Sequence, residues 1–151
     1  ITPYVERLRK NFELPGMKIL QFAFDGNEDN PYLPKNIEGK NWVVYTGTHD
    51  NSTSKSWWES LNNNSKKQIK DEYKFSENPS LSLIEIGMET KANLFIAPIQ
   101  DILSLDDSSR LNIPGTTKNN WKWKLNQSLE EIEGKIRDYS DLGNNYGRIR
   151  K

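Results

Sequence analysis

The 151-residue chain has no cysteine, one histidine and two methionines, and its 21 basic residues are cancelled by 21 acidic ones. The lack of cysteine excludes a disulfide framework and any thiolate metal site. Zero net charge and a pI near 6.8 argue against a generic binder of nucleic acid or anionic membrane, which carries a basic excess. No apolar run approaches the roughly 18 residues of a membrane span, and no basic-then-apolar leader is present, so no membrane partner and a cytoplasmic setting are expected. Apolar residues are scarce too, at 34%, or about 40% with the glycines counted, against roughly 45–50% in globular domains. Sixteen aromatic residues offset part of that deficit. The length suits one domain. A chain that opens Ile1-Thr2-Pro3, a helix start without an initiator Met, is expected to be part of something longer.

Several elements are legible. Thr2 is a candidate N-cap with Pro3 at the first helical position, and Val5, Leu8 and Phe12 share a face before Pro15-Gly16 stops the helix. Met17 to Phe24, Trp42 to Thr46 and Ala92 to Pro98 are short continuous apolar runs, which fit strands buried on both faces of a parallel sheet. Between the first two, Asp25 to Lys40 has loop chemistry and no helical pattern. Residues 49–92 read as a helical insert. Cap residues at Asn51 to Ser54 precede Trp57, Trp58 and Leu61; Ser65 with Gln68 forms a capping-box pattern before Ile69 and Tyr73; a third helix starts near Ser80 or Ser82, the latter pairing with Glu85. Asn62-Asn63-Asn64 is expected to be a surface turn. A single helical turn fits Gln100 to Leu103, Arg110 to Asn120 is irregular, and Ser128 with Glu131 opens a helix through Leu129, Ile132 and Ile136. Residues 140–151 form a polar tail. Strands alternating with helices indicate an α/β fold with a parallel sheet. Three strands are too few to close a barrel, so the last three or four units of a (β/α)₈ barrel are the most this length holds.

The chemistry concentrates in Tyr45-Thr46-Gly47-Thr48-His49-Asp50-Asn51, at the carboxyl end of a buried strand, the edge of a parallel sheet where ligands bind. A His-Asp pair placed there marks a candidate site. Equally, Asp50, Asn51, Ser52 or Thr53 could do no more than cap the next helix, with His49 facing solvent. Asp25-Gly26-Asn27-Glu28-Asp29-Asn30 begins like a calcium loop and then fails, with Asn30 in place of Gly at its sixth position and Asn36 in place of Glu at its twelfth. No metal is expected. Arg110 to Thr116 and Asn119 to Lys124 mix amides, a guanidinium and flat rings, a composition compatible with a polyol site. Trp57-Trp58 and Trp121-x-Trp123 serve equally well as packing residues.

Six stretches in order, LPGMKILQFAF (Leu14 to Phe24), DNPYLP (Asp29 to Pro34), VVYTGTHDN (Val43 to Asn51), IAPIQD (Ile96 to Asp101), RLNIPGT (Arg110 to Thr116) and NWKWKL (Asn120 to Leu125), closely resemble the C-terminal part of the 4-α-glucanotransferases of glycoside hydrolase family 77. The resemblance implies an elaborated (β/α)₈ barrel of which about three parallel strands lie here. It implies transfer of α-1,4-glucan segments between maltooligosaccharides by a retaining double displacement, which uses two carboxylates about 5 Å apart. In the family these stand at the ends of the fourth and fifth strands, and the acid/base Glu lies in an EDLG-like motif just ahead of the ITP that opens this chain. Both are therefore expected outside these residues, and the remainder of the barrel is an expected partner.

What the resemblance carries over is Asp50, matching the third carboxylate, which stabilises the distorted glucosyl ring in the transition state, and His49, a sugar-hydroxyl ligand. Asn51 beside them, Phe24 and Asp25 lining the acceptor side, Asn112 and Pro114 by the donor subsite, and Gln100 after the last barrel strand would contact substrate. No cofactor or metal is implied. A different class of function, a non-catalytic glucan-binding module with Trp42, Trp57, Trp121 and Trp123 as platforms, or an assembly fragment pairing through open strand edges, is the alternative.

Overall fold

The computed structural model describes residues 2–148. Helix α1 (Pro3–Asn11) starts where the Thr2 hydroxyl accepts the Val5 N–H at 3.4 Å. Strand β1 (Gly16–Ile19) follows, then β2 (Trp42–Tyr45), three helices α2 (Ser54–Ser60), α3 (Asn63–Tyr73) and α4 (Pro79–Glu89), strand β3 (Leu94–Ile96), the single turn α5 (Ile99–Ile102) and the long α6 (Leu129–Asn145). The sheet is parallel throughout in the order β1-β2-β3, with Gly16 opposite Trp42 and Val43 opposite Leu94. The architecture is α/β, with α2 to α4 between β2 and β3 as parallel pairing requires. None of the described helices is long and apolar enough to cross a membrane.

One sheet face carries the core. Val44 and the turn residue Leu20 meet Ile69, Phe75, Leu83 and Ile86 from the helices, with Trp57, Trp58 and Phe95 packed against that cluster. Trp58 stacks on Phe75 at 5.0 Å between centroids. The other face is open among the described residues: Met17 is 54% and Leu94 50% exposed. The expectation of strands buried on both faces therefore fails at Met17, Leu94 and Ile96, which have no layer packed on them in these residues, although Ile19 on the same face is buried.

Several boundaries also differ. β1 ends at Ile19, since Leu20–Phe22 coil into a 3-10 turn closed by the Ala23 N–H on the Leu20 carbonyl. β3 is likewise only Leu94–Ile96, shorter than the apolar run Ala92 to Pro98. Asn62-Asn63-Asn64 is no free turn: Asn62 caps α3 by accepting the Ser65 N–H at 2.9 Å, so Ser65 is already helical. Asn78 caps α4 ahead of Pro79, whereas the Ser82 hydroxyl accepts from Ser76 N at 2.9 Å and ties down the preceding turn. Ser128 does open α6, accepting Glu131 N at 3.2 Å. That helix runs through residues 140–145, where composition suggests a polar tail, and beyond it Arg148 caps the end of α4, donating to the carbonyls of Met88, Thr90 and Ala92. Residues 149–151 of that expected tail lie outside the described residues.

The long β1–β2 connection is held by amides. Asn30 donates to the Phe22 carbonyl and accepts from Tyr32 N, both at 2.8 Å, while Asn36 donates to Glu28 and Asn30 carbonyls. Asparagine serves here because one side chain both donates and accepts, satisfying backbone groups that no ladder reaches.

Candidate active site

Eight residues, Thr46 to Thr53, link β2 to α2; the first of them, ahead of the His49–Asp50 turn, and Ser54 just after the last both hang on one buried carboxylate. Asp101 in α5 accepts from Thr46 Oγ1 at 2.5 Å, from Ser54 N at 2.7 Å and from Ser54 Oγ at 2.7 Å. Burial pushes the Asp101 carboxyl above its ordinary value in spite of those three donors. The loop crosses close over the turn after β1: a Cβ on Gly47 would come within 2.8 Å of Gln21 Nε2, which itself donates to the Ser52 carbonyl at 2.9 Å. A side chain at 47 would push the Gln21 amide off the Ser52 carbonyl.

Within the loop, Asn51 Oδ1 accepts from Thr48 N at 2.9 Å and Thr48 Oγ1 at 2.8 Å, folding the chain into a tight turn that projects the two residues between. The cap of α2 is Thr53, whose hydroxyl accepts Ser56 N at 3.4 Å and whose own N–H donates to Asp107 Oδ1 at 2.8 Å. Asp50 is therefore not a helix cap, and its carboxylate is available for other work.

His49 and Asp50 are half-exposed and adjacent, with His49 Nε2 3.3 Å from Asp50 Oδ1. Asn112 Nδ2 donates to the same oxygen at 2.6 Å. Among the described residues no hydrogen bond falls on Asp50 Oδ2. The His49 ring lies 5.1 Å from that of Trp121, tilted by 40°. Trp121 is 62% exposed. Arg110 donates through NH2 to the Asp50 carbonyl at 2.7 Å, through NH1 to Ser52 Oγ at 3.1 Å and through Nε to the Asn112 carbonyl at 2.9 Å. Its charge is answered by Asp107 Oδ2 at 3.6 Å. A cavity of about 50 Å³ lies beneath, lined in part by His49, Asn51, Gln100, Asp101 and Arg110.

The predicted residues thus divide. His49, Asp50, Asn51 and Asn112 come together, although Asn51 uses its oxygen to build the turn. Gln100 borders the cavity from the interior, buried and donating to the Ser109 carbonyl at 3.2 Å. Pro114 lies in an exposed turn two residues past Asn112, closed by Thr116 N on the Ile113 carbonyl. Phe24 and Asp25 belong to another cleft of about 170 Å³ against α3. Phe24 packs there on Tyr73 at 5.1 Å and on Trp57 at 5.7 Å, half in the core. Burial, with the Glu72 carboxylate nearby, pushes the Tyr73 hydroxyl up to about 12, and among the described residues that hydroxyl meets no hydrogen-bond partner at normal geometry. Asp25 is exposed, and Asn30 and the Asn27 N–H hold its carboxyl below its ordinary value. The calcium-like run spends its oxygens on local turns, Asp25 on Asn27 N and Asn27 on Asp29 N. Arg110 and Asp101, which lie inside stretches already singled out, were given no individual role by motif reasoning, and Asp107 was not singled out at all. A signal for the first existed, since Arg110 stands two positions before Asn112 in an otherwise irregular stretch.

A parallel β/α sheet whose polar residues gather in the loops after the strands is the layout of a (β/α)-barrel enzyme, with its site at the carboxyl edge. The comparisons are specific. The model of the glycoside hydrolase 77 family, 4-alpha-glucanotransferase, matches residues 1–130, and the chain belongs to that family. It is 40% identical over 153 aligned positions to the chloroplastic/amyloplastic 4-alpha-glucanotransferase of Solanum tuberosum, covering 99% of this chain and 26% of that protein. It is 42% identical to the 4-alpha-glucanotransferase of Thermus thermophilus over 83% of this chain and 27% of the relative. The structure superposes with a TM-score of 0.90 and 28% identity on the amylomaltase of Streptococcus agalactiae solved in complex with acarbose, over 99% of this chain and 30% of that one. The chain thus spans under a third of the length of these relatives.

Proposed function

We propose that these residues form the C-terminal barrel units of a 4-α-glucanotransferase, which moves α-1,4-glucan segments between maltooligosaccharides by a retaining double displacement. The observation that carries this is the Asp50 carboxylate, free of any capping duty, held on one oxygen by the Asn112 amide at 2.6 Å with His49 Nε2 3.3 Å from the same oxygen, and with its other oxygen unengaged among the described residues. A carboxylate held in that way grips a sugar hydroxyl through Oδ2 and places negative charge beside a glucosyl ring that becomes positive in an oxocarbenium-like transition state. His49 adds a second polar contact to the same ring. Nucleophile and acid/base belong to barrel units outside this chain, and the chemistry calls for no cofactor or metal. The open sheet face bearing Met17 and Leu94 faces the barrel interior and is covered by side chains of those units.

Phe24 and Asp25 serve the acceptor side, Gln100 supports the floor of the cleft, and Pro114 borders the donor side beside Asn112. The cytoplasm is the setting proposed for this chain; the Solanum tuberosum relative is named as chloroplastic/amyloplastic. A non-catalytic tryptophan-platform module fits less well, because Trp57 and Trp58 are spent on the core and Trp42 packs beside it, under Arg9 at 4.3 Å.

Maltotriose disproportionation by the full-length chain containing residues 1–151, compared with its Asp50→Asn variant, is the test. Loss of one transition-state electrostatic contact lowers kcat by about 10²–10³-fold. Activity within about twofold of wild type would remove Asp50 from the mechanism.

A further inference from the structure

We infer that Arg110 is the positioning residue for Asp50: it sets the direction of that carboxylate without neutralising it. The inference rests on the transferase role proposed for Asp50. Its basis is a closed ring of three residues. The Arg110 guanidinium donates to the Asp50 main-chain carbonyl at 2.7 Å, the Asp50 carboxylate accepts from the Asn112 amide at 2.6 Å, and the Asn112 main-chain carbonyl accepts from Arg110 Nε at 2.9 Å. The third nitrogen, NH1, reaches Ser52 Oγ at 3.1 Å. Three nitrogens of one rigid plane therefore reach the loop after β2 at two points and Arg110's own loop at a third. A guanidinium does this as a fixed fork, whereas a lysine ammonium is a single flexible point charge.

The choice of acceptor matters electrically. A transition-state carboxylate is useful only while its negative charge is uncompensated, and a guanidinium paired directly with it would cancel the field it offers an oxocarbenium ion. Arg110 avoids this by holding Asp50 through its carbonyl and leaving the carboxylate to a neutral amide, Asn112. Its own charge is taken up by Asp107 Oδ2 at 3.6 Å. The same Asp107 accepts Thr53 N through Oδ1 at 2.8 Å, so the counter-ion also secures the far end of the loop. Removing Arg110 frees the Asp50 backbone and the Asn112 carbonyl together, and both partners that orient Oδ1 lose their register.

The test uses the full-length chain with Arg110→Ala and Arg110→Lys, read by steady-state kinetics on maltotriose, thermal unfolding and a crystal structure of each variant. Misplacement of a reacting group by about 1 Å costs up to about 10²-fold, so kcat of Arg110→Ala falls by about 30–100-fold while KM changes by less than about threefold. Added guanidinium or methylguanidinium restores at least about tenfold of the lost kcat in Arg110→Ala, and restores none in Arg110→Lys, where the space is filled. In the variant crystal structures the Asn112–Asp50 contact is broken and the carboxylate turns away from His49. The inference is overturned if kcat stays within about threefold, if the loss tracks a collapse of Tm and resists guanidinium, or if the Asp50 carboxylate keeps its place in the variant crystals. A wild-type chain inactive on maltotriose would overturn the transferase proposal instead, and the crystal comparison would still decide whether Arg110 positions Asp50.

Discussion

Asp101 joins Thr46, the first residue of the loop that carries His49 and Asp50, to the first residue of α2, and its replacement should be felt at both ends. In Asp101→Ala three donors, Thr46 Oγ1, Ser54 N and Ser54 Oγ, lose an acceptor that now lies 2.5 to 2.7 Å away. Each buried unsatisfied group costs about 1–3 kcal/mol, but the two hydroxyls can rotate toward other partners, so the sum falls to roughly 3–5 kcal/mol. Asp101→Asn is milder. The amide oxygen still accepts Ser54 N, and either hydroxyl can turn to accept from the amide nitrogen, which leaves a cost of about 1–2 kcal/mol at neutral pH.

The pH dependence of that cost has a definite sign. Burial raises the folded-state pKa of Asp101 above 3.8, so the native protein binds this proton more tightly than the unfolded chain. The contribution of this group to stability is fully present below 3.8 and is lost as pH rises through the raised folded value. Asparagine does not titrate. Equilibrium urea unfolding of wild type and Asp101→Asn between pH 7 and pH 4 should therefore show the stability gap widening on acidification, by at most about 1.4 kcal/mol per pH unit. A gap that narrows as pH falls would mean that the three donors outweigh burial and that the carboxylate is stabilised as an anion, which refutes the reasoning.

Two further expectations follow from packing. Arg148→Ala removes a guanidinium that donates to the carbonyls of Met88, Thr90 and Ala92 at the end of α4; urea unfolding should register a loss of about 2–4 kcal/mol, with Arg148→Lys recovering less than half of it. Gly87→Ala would put a Cβ 2.0 Å from the Phe95 ring, so thermal unfolding should show about 1–3 kcal/mol of destabilisation despite alanine's better helix propensity; a stabilised variant would mean that Phe95 moves aside freely.

What was legible along the chain was what depends on neighbours three or four residues away. Thr2 and Ser128 cap the helices they were expected to cap, because a hydroxyl that accepts an N–H three residues on is a property of the local sequence. β2 was readable from WVVY, and the Thr46-Gly47-Thr48-His49-Asp50-Asn51 motif pointed to the site from its place at the end of that strand. Choice between equivalent caps was not readable: Asn62 and Asn78 took the role over Ser65 and Ser82 because the turns before α3 and α4, including Ser82's bond to Ser76, were already settled by packing.

The sequence alone therefore determined the α/β class and the family, and it marked His49 and Asp50 as the candidates for the site. Only the tertiary structure decided that Asp50 is no cap, since that depends on Thr53 taking the role with help from Asp107, 54 positions away. It also decided that Phe24 stands with Trp57 and Tyr73, apart from the His49–Asp50 cluster. The Arg110–Asp50–Asn112 ring belongs to the same category, because two of its three bonds join residues 60 and 62 apart. No periodicity records such contacts. They exist because β2 and β3 are parallel neighbours, so the loops that follow them meet at the same edge of one sheet, and a hydrogen bond needs its partners within about 3 Å in space, whatever their separation along the chain.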